Sequence, residues 1–188
     1  MVDMAILKIA RMGHPVLLQR AQPISDPGVE QIQSLVADMT ETMLDAEGLG
    51  LAAPQVHRSL RLILFLDLEQ RDEVPGRRPI ALINPEIESL DDGLEPGWEG
   101  CLSIPGLRGI VPRYRRIAYR GLTLEGRTIE HEAQGLHARV VQHEVDHLDG
   151  ILYPMRMPDL RRLSFETELR HLVAEPEEGE PHEPADQP

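Results

Sequence analysis

The spacing of apolar residues along the chain predicts two amphipathic helices of ordinary length and a short third one. Apolar residues recur every three or four positions over residues 28–45, and we expect Asp26 to cap this helix with Pro27 at its first position. A second helix is predicted over residues 134–148, and the short one over residues 158–172. The residues of the short helix expected to face inward are Leu160, Leu163 and Leu172.

Shorter apolar stretches predict β-strands. Residues 6–10, 60–68 and 77–85 are bounded by turn-forming residues and are long enough for one strand each. Residues 115–120 and 127–132 flank a Glu-Gly pair, which predicts a hairpin. Because strands outnumber helices and neither a repeat nor a linker interrupts the chain, we expect a single α+β domain.

Negative charge is concentrated near the end of the sequence. The chain has 188 residues and a net charge of −13, and residues 175–188 hold six acidic residues, four prolines and no Lys or Arg. We therefore expect one folded domain over residues 1–174 and a disordered acidic tail over residues 175–188. The charge of −7 that remains without the tail gives no support to unspecific nucleic-acid binding.

Other features of the composition indicate where the protein works. No apolar run approaches the roughly 20 residues of a membrane-spanning helix. The first residues have neither the pattern of a signal peptide nor that of a transit peptide. The single cysteine, Cys101, excludes an internal disulfide and fits a reducing compartment. These features predict a cytoplasmic protein with no membrane partner.

The pentapeptide at residues 143–147 has the form H-E-x-x-H. On a helix, His143 and His147 lie on one face and can bind a single metal ion, while Glu144 can handle the protons of a bound water. Two histidines four positions apart also arise by chance on a solvated helix. The glutamate within the motif and the apolar residues before it favour the metal interpretation. The G-x-x-H continuation of one large metalloprotease group is absent, so the sequence leaves open what supplies a third ligand.

Cys101, within the segment at residues 99–106, is the first candidate for that ligand. A thiolate binds divalent metals well, and a Cys-His-His set leaves a fourth position for water, as in catalytic sites. Two alternatives stand beside it. A lone cysteine is commonly a small buried apolar residue, and it can also act as a nucleophile.

A glycine-rich stretch at residues 48–55 is the second candidate segment. It formally matches the loose dinucleotide-binding fingerprint, but that fingerprint needs a strand before it and a helix after it, and here the predicted order is reversed. We expect instead a loop whose backbone approaches a substrate, with the Gln55 amide donating to a developing oxyanion. The alternative is an ordinary turn.

Together these segments resemble the peptide deformylase family. The family motifs G-x-G-x-A-A-x-Q, E-G-C-L-S and H-E-x-D-H stand unbroken at residues 48–55, 99–103 and 143–147, in the family's order. Residues 6–18 are similar to the family's opening, and the resemblance runs to about Met157. It implies an α+β fold in which mixed or antiparallel sheets pack around a central helix that carries the H-E-x-x-H motif.

The resemblance also implies an activity. The reaction is removal of the N-formyl group from the formyl-methionine that begins a newly synthesised polypeptide, with release of formate. The cofactor is one divalent metal, Fe(II) in the cell and replaceable by Zn, Ni or Co. Implied roles are metal binding by Cys101, His143 and His147, general base and acid catalysis by Glu144, oxyanion binding by Gln55 and the Leu102 N–H, and substrate hydrogen bonding by Gly50.

Two further expectations concern specificity and partners. Leu136 and Val140 precede His143 on its helix face and are expected, with Leu49, to receive the methionine side chain, although plain core packing fits them nearly as well. Arg139 shares that face, where many relatives have an apolar residue, and is expected to reshape the pocket. Well-studied members dock on the ribosome through a basic C-terminal helix. The acidic end of this chain argues against that route.

Two other functions remain as alternatives. A general metallopeptidase could use the same H-E-x-x-H motif, although the motif around Cys101 argues against it. A deformylase-like protein kept for binding is the second alternative. The intact Glu144, Gln55 and Cys101 argue against that one, because a silent site has no need of a general base.

Overall fold

The computed structural model describes residues 5–68 and 79–173, and within them the chain forms eight strands and three α-helices. The strands are β1 (Gly50–Ala52), β2 (Leu62–Phe65), β3 (Ile80–Ser89), β4 (Leu94–Cys101), β5 (Ile104–Tyr114), β6 (Arg116–Leu122), β7 (Thr128–Gln134) and β8 (Leu163–Phe165). The helices are α1 (Glu30–Asp45), α2 (Gly135–Leu148) and α3 (Leu169–Val173). The predicted α+β class is confirmed.

Two antiparallel sheets form the scaffold. The first has the strand order β1-β2-β3-β6-β7, and the second has the order β4-β5-β8. Their strands pair in antiparallel register throughout, and the predicted hairpin is β6 with β7, paired from Arg116 opposite Gln134 to Leu122 opposite Thr128. β4 and β5 form a second, longer hairpin whose turn follows Cys101.

Helix α2 is the centre of the molecule, as predicted. It contacts strands of both sheets, and its apolar residues Ala138, Val141 and Leu148 pack with Ile63 and Phe65 in one buried cluster. Most of its polar side chains, including both histidines of the motif, are buried as well. A helix buried on nearly every face must provide hydrogen-bonding partners for its polar groups, and this requirement shapes the site described below.

Helix α1 was predicted almost to its ends. Met39 and Met43 are fully buried and pack with Leu51, Leu62 and Leu64 of the first sheet. The predicted cap is wrong. Val29 occupies the N-cap position without a side-chain hydrogen bond. Asp26 Oδ1 instead accepts from the Gly28 N–H at 3.0 Å, which closes a turn just before the helix.

The opening segment is not the predicted strand. Residues 6–10 have no regular secondary structure. Single backbone hydrogen bonds join this part of the chain to the segments at residues 48–55 and 99–106. Ala10 N donates to Gln55 O at 2.7 Å, and Met12 N donates to Ser103 O at 2.9 Å. Isolated bonds of this kind hold the chain in place without forming a ladder. Of the predicted strand at residues 60–68, only β2 forms, and all four of its residues are buried.

The helix predicted over residues 158–172 is wrong for most of its length, and only the residues from Leu169 onward are α-helical, as α3. Asp159 caps a short 3-10 turn by accepting from the Arg161 N–H at 3.0 Å, and the chain then enters β8. Leu163 pairs with Gly109 on the edge of β5, while Leu160 is 64% exposed instead of inward. Residues 163–165 pair with the open edge of β5 instead of continuing a helix, although their apolar spacing is helical. The Leu172 side chain, the start of the predicted strand at residues 77–85 and the tail at residues 175–188 lie outside the described residues.

None of the helices within residues 5–68 and 79–173 combines the length and the apolar run that crossing a membrane requires.

Candidate active site

Two distant parts of the sequence bring three metal-binding atoms together. Cys101 ends β4, and His143 and His147 lie one turn apart on α2. One ligand atom from each lies within 4.8 Å of the others, and Cys101 Sγ is 3.2 Å from His147 Nε2. This donor set of one thiolate and two imidazoles suits Fe(II), Co(II), Ni(II) and Zn(II), and it leaves room for a further ligand.

The orientation of His143 is fixed by a carboxylate behind it. His143 Nδ1 lies 2.8 Å from Glu99 Oε2, and both side chains are buried. Because that contact occupies Nδ1, Nε2 is the nitrogen that remains for a metal. A carboxylate behind a ligating imidazole selects the tautomer and holds the ring in place.

Glu99 is itself held by two arginines. Arg113 donates from Nε to Oε1 at 2.8 Å and from Nη2 to Oε2 at 3.0 Å, and Arg139 Nη1 donates to Oε1 at 3.0 Å. Burial alone would raise the pKa of Glu99, but the hydrogen bonds from His143 and Arg113 outweigh it and lower the pKa to about 2. Arg113 also binds Asp146 of α2, which accepts from Arg156 at 2.7 Å. The network therefore ties β4, β5 and α2 together behind the histidines.

We expect Glu99→Gln to weaken both the fold and the site. The substitution removes one of the two carboxylates that bind the buried Arg113 and leaves Asp146 in place, so we expect a cost of about 2 kcal/mol of unfolding free energy. It also removes the anion behind His143, so metal affinity falls by about 10- to 100-fold. Urea unfolding and metal competition with a chelator measure the two effects. Glu95→Gln, an exposed residue of β4, is the control and should change neither quantity. Unchanged metal affinity in Glu99→Gln would show that this carboxylate does not orient the ligand.

Glu144 lies in the site with a carboxylate oxygen that has no partner. Its side chain is buried, and Oε2 makes no hydrogen bond with any of the described residues. Burial raises the pKa of Glu144 to about 7. A buried carboxyl group that titrates near neutrality and lines a cavity is suited to accepting and returning a proton.

Gly50 provides the space that Glu144 needs. A Cβ atom at Gly50 would overlap the Glu144 carboxylate. We therefore expect Gly50→Ala to displace the carboxylate and to lower kcat/KM by about 10²-fold, the usual effect of a misplacement near 1 Å. Gly93→Ala is the matched control, because a Cβ there meets no atom within 4 Å. Steady-state kinetics of both variants decide the matter, and equal rates would show that the carboxylate position is not critical.

Gln55 is fixed within the site by its own loop. Its Oε1 accepts from the Ala52 N–H at 2.8 Å, which directs the amide NH₂ toward Ser103 Oγ at 3.2 Å and Cys101 Sγ at 3.5 Å. Leu102 follows Cys101 in the β4–β5 turn and lines the same cavity. The donors predicted for an oxyanion thus lie beside the predicted metal ligands.

A cavity of about 570 Å³ opens over these residues. Leu49, Leu136 and Val140, the residues expected to receive the methionine side chain, line it, with Leu49 and Leu136 partly exposed and Val140 buried. Arg139 lines it too, but its guanidinium is bound to Glu99 and to backbone carbonyls of the β4–β5 hairpin. Trp98, which the sequence analysis did not select, also lines the cavity and is 36% exposed.

The site therefore has a Cys-His-His donor set, a proton-accepting carboxylate and fixed amide donors around one cavity. These features define a candidate metallohydrolase of the H-E-x-x-H type.

Comparison with known proteins narrows this class to one family. The family model for polypeptide deformylase matches residues 6–163. Peptide deformylase 2 of Ralstonia nicotianae is 48% identical over 163 residues, which cover 85% of this chain and 92% of that one. The crystal structure of a peptide deformylase from Synechococcus elongatus in complex with actinonin superposes with a TM-score of 0.76, at 38% identity and 85% coverage of each chain. The Acinetobacter baumannii peptide deformylase with Met-Ala-Ser bound gives 0.73, at 38% identity, with 81% of this chain and 99% of that one covered. The chain belongs to the polypeptide deformylase family.

Proposed function

We propose that residues 48–55, 99–103 and 143–147 form the active site with which this chain, as a peptide deformylase, removes the formyl group from N-terminal formyl-methionine and releases formate. The observation that carries the proposal is the convergence of all three segments on one cavity. Cys101 Sγ lies 3.2 Å from His147 Nε2, and Glu144 lines the same cavity beside Gly50. A metal-dependent amide hydrolase needs its metal ligands, a proton-accepting carboxylate and a substrate cavity next to one another.

The cofactor of the proposed site is one divalent metal held by Cys101, His143 and His147. When bound, it supplies Lewis acidity, which polarises the formyl oxygen and makes water nucleophilic near neutral pH. The donor set accommodates several metals, and the family resemblance favours Fe(II) over Zn, Ni or Co. A thiolate beside Fe(II) is prone to oxidation, so activity should be lost in air faster with iron than with nickel.

Glu144 is proposed to move the protons of the reaction. Its burial and its pKa of about 7 allow it to accept a proton from water and then to donate one to the leaving amine, which is the new amino terminus of the methionyl peptide. Neither of the two carboxylates in the site can replace the other. Glu99 is held as an anion by Arg113 and faces His143, so it orients a ligand.

Gln55 and the Leu102 N–H are proposed to bind the formyl oxygen as negative charge develops on it. The Gln55 amide is already oriented by the Ala52 N–H, so it needs no reorganisation during the reaction. We expect Gln55→Ala to lower kcat by about 10²- to 10³-fold, as for other oxyanion donors. The metal content should stay at the wild-type level, because Gln55 is not a proposed ligand. An unchanged kcat would remove Gln55 from the mechanism.

The proposed substrates are formyl-methionyl nascent polypeptides. The Acinetobacter baumannii relative with bound Met-Ala-Ser supports a peptide that begins with methionine. Leu49, Leu136 and Val140 would contact the methionine side chain, and Gly50 would hydrogen-bond the peptide backbone. Since these substrates emerge from ribosomes, we propose a cytoplasmic enzyme with one catalytic domain over residues 1–174. Ribosome docking through a basic C-terminal helix is not part of the proposal, because residues 175–188 are acidic.

Reconstitution of the metal-free protein tests the proposal. The protein is loaded without oxygen with Fe(II), Ni(II), Co(II) or Zn(II), and formate release from formyl-Met-Ala-Ser is measured. We expect turnover with Fe(II) and Ni(II), and none after chelation. Turnover that survives chelation would overturn the metal-dependent mechanism, and the highest activity with Zn(II) would overturn the preference for iron.

A further inference from the structure

The C-terminal segment contributes a residue to the wall of the cavity. β8 pairs with the middle of β5, with Leu107 opposite Phe165 and Gly109 opposite Leu163. The next residue, Glu166, thereby reaches Arg108 of β5, and both line the cavity that holds the proposed site. Arg108 Nε donates to Glu166 Oε1 at 2.6 Å, and Arg108 Nη2 lies 2.5 Å from the same oxygen.

Arg108 lies close to the proposed metal ligands. It is paired with Gly100 in the β4–β5 ladder, one residue before Cys101. A Cβ at Gly100 would overlap the Arg108 guanidinium, so the glycine allows that group to lie against β4. The positive charge of Arg108 therefore lies at the wall of the cavity that a bound peptide would occupy.

The charges around the mouth of the cavity are balanced. Arg108 and Glu166 are 43% and 47% exposed, so both meet solvent and any bound peptide. Arg11 and Glu47 add one more charge of each sign to the lining. The remaining charged residues of the lining are Glu99 and Arg139, which bind each other, and the buried Glu144. Removal of Glu166 alone would leave an excess of positive charge at the mouth.

We propose that Glu166 is a specificity-determining residue, which engages Arg108 and so prevents a preference for acidic residues after the formyl-methionine. The inference rests on the proposed function, since it concerns the peptide that follows the methionine. An enzyme that processes nascent chains of every sequence benefits from a charge-balanced mouth. Once Glu166 is neutralised, a substrate carboxylate can bind Arg108 without competition from it. Because both groups are partly exposed, the effect is modest and falls with salt.

Formate release from a matched set of peptides tests this. The substrates are amidated formyl-Met tripeptides and tetrapeptides with Asp, Asn or Lys at the second or third residue, so that the C-terminus carries no charge. For each variant the ratio of kcat/KM for Asp to that for Asn is recorded. The ratio is internal to each preparation and is not affected by partial loss of folded protein. Glu168→Gln is the control, because Glu168 is exposed and is absent from the cavity lining.

We expect Glu166→Gln to raise the Asp-to-Asn ratio by about two- to fivefold at low ionic strength, and 0.5 M salt to remove most of the increase. Glu168→Gln should keep the wild-type ratio, and the double variant Arg108→Gln/Glu166→Gln should return to it. The proposal is overturned if Glu166→Gln leaves the ratio unchanged, or if Glu168→Gln raises it equally. Absence of formate from every peptide, in the wild-type protein, would instead overturn the proposed function.

Discussion

Replacement of Glu144 by alanine is expected to leave the metal bound while lowering kcat by about 10⁴-fold, the upper end of the range for a general acid–base residue. The upper end applies because Glu144 is proposed to serve both proton transfers. Its Oε2 has no partner among the described residues, so its removal breaks no hydrogen bond there. The fold and the three proposed ligands should therefore persist.

Formate release and metal analysis on the same preparations measure this effect. Glu144→Gln should be nearly as inactive as Glu144→Ala, because an amide keeps the shape but cannot exchange the proton. Glu130→Ala, an exposed carboxylate on β7, is the control and should behave as wild type. Loss of the metal from Glu144→Ala would contradict the assignment and would move Glu144 into the ligand set.

Replacement of Cys101 by alanine is expected to lower metal affinity by more than about 10²-fold. Loss of a residue behind a ligand typically costs about 10- to 100-fold, and loss of a ligand itself should cost more. Cys101 Sγ lies within 4.8 Å of both histidine ligand atoms, and two imidazoles alone hold a divalent metal weakly. The variant should lose activity in proportion to its metal.

Metal-to-protein ratios after dialysis against a weak chelator measure this second effect. Cys101→Ala should also lose activity in a way that excess metal partly restores, because His143, His147 and Glu144 remain. A variant that keeps a full metal complement would show that Cys101 is only a small residue of the core. A variant that keeps its metal but loses turnover would favour the nucleophile alternative.

The sequence predicted the parts of the site that are contiguous in the chain. α2 shows clear helical spacing, and His143, Glu144 and His147 follow from it. Gln55 and Cys101 each lie in a short motif. Such a motif can be recognised in the sequence without knowing which residues lie near it in the fold. The predicted donor atoms do meet in the structure, because the β4–β5 turn reaches the face of α2 that carries the histidines.

The network behind the histidines could not be predicted in the same way. Glu99, Arg113 and Asp146 are separated by 14 and 33 residues along the chain, and they meet only because β4 and β5 pair in one particular register. Arg139 was expected to affect the pocket through its position on the helix. Its side chain instead binds Glu99 and the hairpin carbonyls, a role that depends on the same register.

Four strands, β1, β4, β5 and β8, were not predicted, and the helix predicted over residues 158–172 forms only at its end. β4 and β5 are interrupted by glycine and proline, including Pro96, Gly97 and Pro105, which hide the alternation of a strand. The C-terminal segment has helical spacing, but residues 163–165 pair with the free edge of β5 as β8.

The opening segment resembles the family although it forms no strand. Its backbone bonds to Gln55 and Ser103 give a structural reason for that resemblance.

Substrate discrimination by the Ni(II)-loaded protein tests the central claim most directly. Formyl-Met-Ala-Ser, acetyl-Met-Ala-Ser and an unblocked peptide are incubated with the protein, and formate, acetate and new amino termini are measured together. We expect formate from the first peptide, no acetate from the second and no cleavage of any peptide bond. Cleavage within the peptides would point to a general metallopeptidase. The absence of any product from all three peptides would point to a binding protein. Either result would contradict the account given for residues 48–55, 99–103 and 143–147.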